Sequence, residues 1–270
     1  MPYSVLPWSP GLPVEFERRR GYALAPVLPL VIADGPGAGK ARYDFWLTVG
    51  ELVSENYFGQ IQDWCRAHGF ASGGHLLLEE PIVDHVPFYG DFFRCVRRTD
   101  APSIDCLTSI PATVPWRVAR MIGSIADLNG NRVTMCETSD HSQRYRRAGD
   151  KRPVRVVTEG EIRGTCNRLI LNGINTITSY YRFAGLSTVQ LRRLNEWVGR
   201  CSTMLKGGHQ VTELAVLYPI ESIWPRFRPS RDRHTDAPAA LQVQSVFNRV
   251  SESLYTNRRD FTYVDAIALA

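Results

Sequence analysis

Apolar residues recur at three- and four-residue spacing over residues 42–68. The positions that carry this pattern are Phe45, Val49, Leu52, Val53, Tyr57, Ile61 and Trp64. Such spacing places apolar side chains along one side of an α-helix. Gly69 follows the pattern, and glycine is the residue that most often ends a helix. We therefore predict one long amphipathic helix over residues 42–68.

Further along the chain, short apolar runs alternate with helical patterns. The runs predict strands at residues 70–78, 103–109, 132–140 and 174–180. The helical patterns between and after them cover residues 116–128, 161–171 and 191–205. Strands that alternate with helices in this way are typical of parallel βαβ units. The pattern predicts an α/β fold with about four strand-helix units, half of the eight that a (β/α)8 TIM barrel needs.

The two ends of the chain have a different character. Residues 1–13 are rich in proline and predict a loop, which a short helix follows at residues 14–20. Near the other end, a strand pattern at residues 211–218 precedes a connection rich in proline and arginine at 219–238. A helix at 241–255 and a short apolar run at 261–264 come last. We predict the second half of a barrel at residues 1–208 and the start of a second α/β domain at 209–270.

Polar residues stand where several predicted strands end. Glu137 closes the apolar run of residues 132–140, His75 and Glu79 stand at the end of the first strand, and Asp105 lies within the second. Chemistry in (β/α)8 barrels collects at the carboxyl ends of strands, so Glu137 is a candidate catalytic carboxylate. The alternatives are a surface glutamate that ends a strand, a structural histidine and an acidic pair that starts a loop. A buried Asp105 would need a partner.

Composition narrows the possible functions. The net charge of +5 comes from arginines that are spread among carboxylates, which gives little support for nucleic-acid binding. No apolar run approaches the roughly 20 residues of a membrane span, and the first residues do not resemble a signal peptide. The six cysteines have no metal-ligand spacing, so we expect free thiols in a reducing compartment, with the cytoplasm favoured.

Seven ordered stretches resemble the α-L-rhamnosidase type of glycoside hydrolase, family 106. They are PWSPGLPVEFERRRGY, ARYDFWLTVGELVSENYFGQIQDWCRAHGF, GGHLLLEE, APSIDCL, VTMCETS, LNGINTITSYY and LKGGHQVTELAVLYPIESIWP. The segment CETSDHSQRYRRAGD, which is rich in arginine, has no close counterpart in that pattern. The resemblance implies a (β/α)8 catalytic barrel within a multidomain enzyme that removes terminal rhamnose, or a related sugar, from glycans. It also implies an inverting mechanism and assistance by Ca²⁺.

The same resemblance implies roles for particular residues. Glu137 would be the general base that activates water in an inverting reaction. Sugar hydroxyls or a hard cation would be bound by His75, Glu79 and Asp105. Tyr180 and Tyr181 would pack against the sugar, and core packing is the alternative for both.

The general acid is the group that this comparison does not supply. In the family it belongs to the strand before the PWSP-like block, and here no carboxylate precedes Glu15. We therefore expect a glycosidase-like chain whose two-carboxylate machinery is incomplete. Two alternatives stay open. One is an inactive carbohydrate-binding protein, and the other is a retaining, β-galactosidase-like barrel hydrolase in which Glu137 is the nucleophile.

Overall fold

The computed structural model describes residues 6–230 and 237–270. These residues form two compact units. The strand unit consists of Ala71–Leu77 and Asp100–Thr212, and the helical unit takes the described parts of Met1–Phe70, Leu78–Thr99 and Glu213–Ala270. This division differs from the predicted domains 1–208 and 209–270, which stay a prediction. The first five residues of the predicted loop 1–13, and residues 231–236 of the predicted connection, lie outside the described residues.

Helices make up most of the regular structure. In chain order they are α1 Leu12–Arg20, α2 Leu28–Ile32, α3 Ala38–Val53, α4 Gln60–Ala67, α5 His85–Tyr89, α6 Phe92–Val96, α7 Trp116–Asn129, α8 His141–Arg144, α9 Glu159–Ile170, α10 Thr188–Leu205, α11 Ile220–Ile223, α12 Pro238–Thr256 and α13 Ala266–Leu269. The strands are β1 Gly73–Gly74, β2 Ala101–Cys106, β3 Met135–Ser139, β4 Thr176–Tyr180, β5 Ala215–Leu217 and β6 Thr262–Val264. Within the described ranges, no helix combines the length and hydropathy of a membrane span.

The strand unit is built on a parallel sheet in the order β1-β2-β3-β4. Spatial order follows chain order, without the reversal that defines a doubly wound sheet. Because crossovers between parallel strands are right-handed, consecutive order places α7 and α9, which connect β2 to β3 and β3 to β4, on one face of the sheet. The α/β class predicted from the sequence is therefore confirmed, and closure of such a sheet into a barrel stays a prediction.

The two faces of this sheet differ in chemistry. Ile104, Cys106 and Cys136 alternate onto one face and are fully buried. The next strand continues this face with Ile177, which packs against a core of α9 and α10 side chains: Val157, Ile162, Cys166 and Leu194. Burial of such side chains stabilises the unit by about 1.5–3 kcal/mol each. The opposite face carries polar side chains, which leaves it available for chemistry.

In the helical unit, α3 supplies the centre of the core. Phe45 and Trp46 are fully buried, and Trp46 makes an edge-to-face contact with Phe227 at 5.4 Å between ring centroids. The predicted strand 211–218 is confined to β5, which pairs in parallel with β6. Val211 is 84% exposed, so it lies outside the buried strand that the sequence pattern predicted.

Two predicted elements of the first 80 residues are shorter or less regular than expected. The predicted helix 42–68 is interrupted by a π-helical segment, Ser54–Gly59. The predicted strand 70–78 is reduced to the two residues of β1. A Cβ atom on Gly73 would lie 2.8 Å from the Ala101 carbonyl oxygen, so glycine is what allows β1 and β2 to approach. Leu78 then adopts a left-handed backbone with φ 53°, which ends the extended run.

Candidate active site

Two carboxylates lie side by side on the polar face of the parallel sheet, Asp105 one residue before the end of β2 and Glu137 at the centre of β3. Asp105 on β2 is the register partner of Glu137 on β3, and Glu137 is the partner of Thr178 on β4. Side chains at paired positions of a parallel sheet point to the same face, and neighbouring strands lie about 4.8 Å apart. The strand register therefore makes Asp105 and Glu137 neighbours on the polar face.

His75 approaches the same carboxylate from β1. Its Nε2 atom lies 3.8 Å from Oε2 of Glu137, and about a third of each side chain is exposed, 33% and 36%. The Nδ1 atom is 3.1 Å from the Leu76 carbonyl oxygen. Because a carbonyl only accepts, Nδ1 carries the hydrogen and donates it. The imidazole is thus oriented with Nε2 toward Glu137, where a proton on Nε2 would make an ion pair.

A buried hydrogen-bond network supports the strand ends from behind. Ser109 is fully buried, and its Oγ atom donates to the Ser139 carbonyl at 3.0 Å and lies 3.0 Å from the Tyr181 hydroxyl. The Ser109 N–H donates to Oε1 of Gln143 at 2.9 Å. These contacts tie the segments that follow β2, β3 and β4 to one another, so the loops at this end of the sheet are held in fixed positions.

The two tyrosines at the end of β4 have different environments. Tyr180 is 64% exposed, and it shares the face of the sheet on which Glu137 lies, because Ser139 is its register partner. Tyr181 packs against the core between the sheet and α9 and α10. Burial raises the pKa of the Tyr181 hydroxyl above its usual range. Core packing, the alternative considered for both residues, describes Tyr181, whereas Tyr180 stays a candidate for sugar binding.

Of the residues predicted to form the site, the structure brings His75, Asp105 and Glu137 together, with Tyr180 on the same face. Glu79 instead belongs to the helical unit, where it is buried and its backbone carbonyl accepts a hydrogen bond from Nε2 of His85 at 2.9 Å. A role of Glu79 in sugar binding, like the roles of the other four residues, stays a prediction.

The Ca²⁺ that the sequence resemblance implies has no evident ligand set. Among residues 6–230 and 237–270, no group of three or more His, Cys, Asp or Glu side chains is close enough to hold a metal ion. Ca²⁺ takes six to eight oxygen ligands and usually several carboxylates. The residues present do not fit the ion, and we derive no chemical step through it.

The sequence did not reveal Ser109 and Gln143 as parts of the site. Their contribution depends on contacts between loops that are 34 residues apart in the chain. The only visible signal was the polar, arginine-rich segment after Glu137, which had no counterpart in the resemblance.

Comparison with known proteins gives limited support for a carbohydrate-active protein. No protein-family model matches the chain. A protein of Formosa agariphila described as a putative beta-glucuronidase is 24% identical over 155 residues. That match covers 53% of this chain and 12% of the Formosa agariphila protein, so the chain spans only a small part of its relative. The similarity supports a glycosidase-like function in general terms and does not point to rhamnosidases of family 106.

Proposed function

We propose that the polar end of the strand unit is part of the active site of a glycoside hydrolase, and that Glu137 is a catalytic carboxylate. The observation that carries this proposal is the position of Glu137, beside Asp105 and 3.8 Å from His75, on the polar face of a consecutively ordered parallel sheet. Consecutive order is the order of strands in a (β/α)8 barrel, of which we propose this sheet is a part. The similarity to a putative glycosidase agrees with this assignment.

In an inverting reaction, Glu137 would act as the general base and remove a proton from the attacking water. The water then attacks the anomeric carbon, while an acid on the other side protonates the leaving oxygen. Inverting pairs are separated by roughly 6.5–9.5 Å, which leaves space for that water. The backbones that carry Asp105 and Glu137 are about 4.8 Å apart, which is less than the separation of an inverting pair, so we assign the acid to another group. In this mechanism Asp105 binds sugar hydroxyls.

The register of β2 and β3 also favours a second mechanism. Retaining glycosidases hold their two carboxyl groups about 5–5.5 Å apart, and one of them attacks the anomeric carbon to form a covalent intermediate. Neighbouring positions on adjacent strands suit this distance. Glu137 would then be the nucleophile and Asp105 the acid that protonates the leaving group. The anomeric configuration of the first product distinguishes the two mechanisms.

Two sugars follow from what the chain is similar to. The sequence resemblance implies a terminal α-L-rhamnosyl group, and the name of the Formosa agariphila protein implies a β-glucuronosyl group. The test is hydrolysis of aryl α-L-rhamnosides and aryl β-D-glucuronides by the full chain, followed by NMR of the product anomers. Glu137→Gln should lower any turnover by at least about 10³-fold, because one of two catalytic carboxylates is lost.

Glu196→Gln is the matched control for this substitution. Glu196 is an exposed carboxylate on α10, 4.0 Å from Arg192, and its replacement removes the same charge without touching the sheet. Turnover that survives Glu137→Gln would contradict the catalytic assignment. Sugar binding without hydrolysis would instead support the carbohydrate-binding alternative.

A further inference from the structure

The segment that leads from β3 towards α9 carries an excess of positive charge. We call residues 141–155 the basic loop. It contains five arginines and one lysine against one aspartate: Arg144, Arg146, Arg147, Lys151, Arg152, Arg155 and Asp150. It begins two residues after the end of β3, so the loop starts at the edge of the sheet that the carboxyl ends of the strands form.

Three of these cations are balanced by nearby carboxylates. The ion pairs are Arg144 with Asp140 at 2.6 Å, Arg152 with Asp150 at 2.6 Å, and Arg155 with Glu161. The pKa of the Asp150 carboxyl is lowered to about 2, mainly because Arg152 donates a hydrogen bond to it. The acidic groups of the loop are therefore already engaged and cannot neutralise the cations that remain.

Arg146 organises the loop and keeps its charge. Its guanidinium donates to four backbone carbonyls of the loop, those of Gln143, Tyr145, Arg152 and Pro153, at 2.5–3.1 Å. Arg147 and Lys151 project as exposed side chains. In the described parts of the chain, Arg146, Arg147 and Lys151 have no carboxylate within ion-pair distance. The loop thus presents the charges of Arg147 and Lys151 to solvent, and the partly buried Arg146 holds it together.

The start of the loop is fixed to the segment after β2. The Ser142 N–H donates to the Leu107 carbonyl at 2.8 Å, and the buried Gln143 donates to Oγ1 of Thr108 at 3.2 Å. Both contacts are with the segment that follows β2. A charge held in position loses less conformational freedom when it binds a ligand than a charge on a free chain does. The cations are consequently positioned for recognition.

We infer that the basic loop recognises an ionised carboxylate or sulfate group on the saccharide that the candidate active site binds. Arg147 and Lys151 contact the anion, and Arg146 is a positioning residue that holds the loop. Arg182, which follows β4, is a third exposed cation. This inference rests on the proposed function, and it narrows the substrate class to acidic saccharides.

The test compares sugars that differ only in charge. Binding of methyl β-D-glucuronide, methyl β-D-glucoside and methyl β-D-glucoside 6-sulfate to the full chain would be measured by NMR titration at low salt. We expect the preferred anionic sugar to bind about tenfold more tightly than the neutral one, as a charge-assisted hydrogen bond allows. Carboxylate and sulfate are distinguished by which of the two anionic sugars has the advantage. Added salt should reduce that advantage.

The Arg147→Ala/Lys151→Ala double variant should bind the anionic sugars no more tightly than the neutral sugar. The matched control, Arg192→Ala/Arg200→Ala, removes two exposed charges from α10 and should keep the preference. Equal binding of charged and neutral sugars by the unmodified chain would overturn the inference, as would an equal effect of the two double variants. Failure to bind any of the three sugars would also overturn the inference, whereas the proposed function is judged separately by the hydrolysis of aryl glycosides.

Discussion

His85 and Asp91 are buried groups whose titrations oppose each other. Both are at least 96% buried, and burial lowers the pKa of His85 from 6.5 to about 4 and raises that of Asp91 from 3.8 to about 6. Nε2 of His85 donates to the Glu79 carbonyl, so Nδ1 accepts from the Tyr218 hydroxyl at 2.9 Å. Neither contact offers a place for a second ring proton. The neutral imidazole is therefore the form that fits.

The signs of the two effects follow from proton counting. Between pH 4 and 6.5 the unfolded chain binds more protons at His85 than the folded chain does, so this group makes stability rise with pH. Between pH 3.8 and 6 the folded chain binds more protons at Asp91, so that group makes stability fall with pH. Across the shared window, the two contributions largely cancel.

Single substitutions should expose each contribution. From about pH 5 to 6, we expect the unfolding free energy of His85→Gln to fall by about 1 kcal/mol and that of Asp91→Asn to rise by a similar amount. Asparagine keeps the N-cap that Asp91 provides by accepting from the Arg94 N–H at 3.1 Å. Urea unfolding at several pH values measures both slopes. Equal slopes in the two variants and the unmodified chain would contradict the cancellation.

The sequence predicted the placement of a residue correctly where that placement depends on the apolar pattern around it. Glu137 follows an apolar run, and the structure places it on β3 as predicted. Glu79 is four residues from His75, and proximity in sequence suggested one shared site. Leu78, between them, has a left-handed backbone, and a turn at a leucine has no sequence signal of the kind that glycine or asparagine provides.

Helices and strands could be predicted from the sequence where tertiary contacts leave the local backbone conformation unchanged. Helix α7 ends one residue beyond its predicted range, and strand β3 lies within its predicted range but begins three residues later. The long helix predicted over 42–68 is distorted at Ser54, whose Oγ atom donates to the Arg94 carbonyl at 3.0 Å. A partner 40 residues away leaves no mark on helical periodicity, so the π-helical segment could not be predicted.

Strand β4 is at the edge of the sheet among the strands that the structure describes. The Thr176 N–H bonds to the Thr134 carbonyl, on the β3 side, at 2.9 Å. Because alternate residues of a strand bond to the same neighbour, the N–H of Thr178 also faces β3, whereas that of Ser179 faces outward. Unpaired edges of this kind promote pairing between chains. We expect association that increases with protein concentration.

Proline substitutions at adjacent positions test this edge. Ser179→Pro removes an outward N–H and should reduce association in sedimentation velocity, with little effect on stability. Thr178→Pro removes an N–H that bonds to β3 and should lower the unfolding free energy by about 1–3 kcal/mol. If the chain is monomeric at every concentration, or if both substitutions destabilise it equally, the assignment of the free edge is wrong.

At the scale of the whole molecule, we expect the two units to respond separately to a local loss of stability. Each unit has buried side chains of its own: Ile162 and Cys166 in the strand unit, Phe45 and Trp46 in the helical unit. Four boundaries along the chain separate the units, after Phe70, Leu77, Thr99 and Thr212, whereas the sequence analysis offered one, between residues 208 and 209. Long-range contacts of this kind are fixed by packing and leave no local pattern.

Gly123→Ala provides a selective way to weaken the strand unit. A Cβ atom on Gly123 would lie 2.9 Å from Cα of Gly173, where backbone meets backbone, so we expect a loss of about 1–3 kcal/mol. Gly199→Ala is the control, since its Cβ would meet nothing within 4 Å in helix α10 and should stabilise the helix by about 0.5–1 kcal/mol.

Hydrogen exchange would report where each variant loses protection. Gly123→Ala should speed exchange in residues 100–212, whereas His85→Gln should do so in the three stretches of the helical unit. A cooperative unit opens as one block with its own free energy, so its amide hydrogens should exchange together. The two units are cooperative units if amide exchange changes at the same residues as the contacts do. If either variant accelerated exchange equally in both units, the two units would have to be treated as one cooperative structure. The effect of Glu137 substitutions would then need a stability correction across the entire chain.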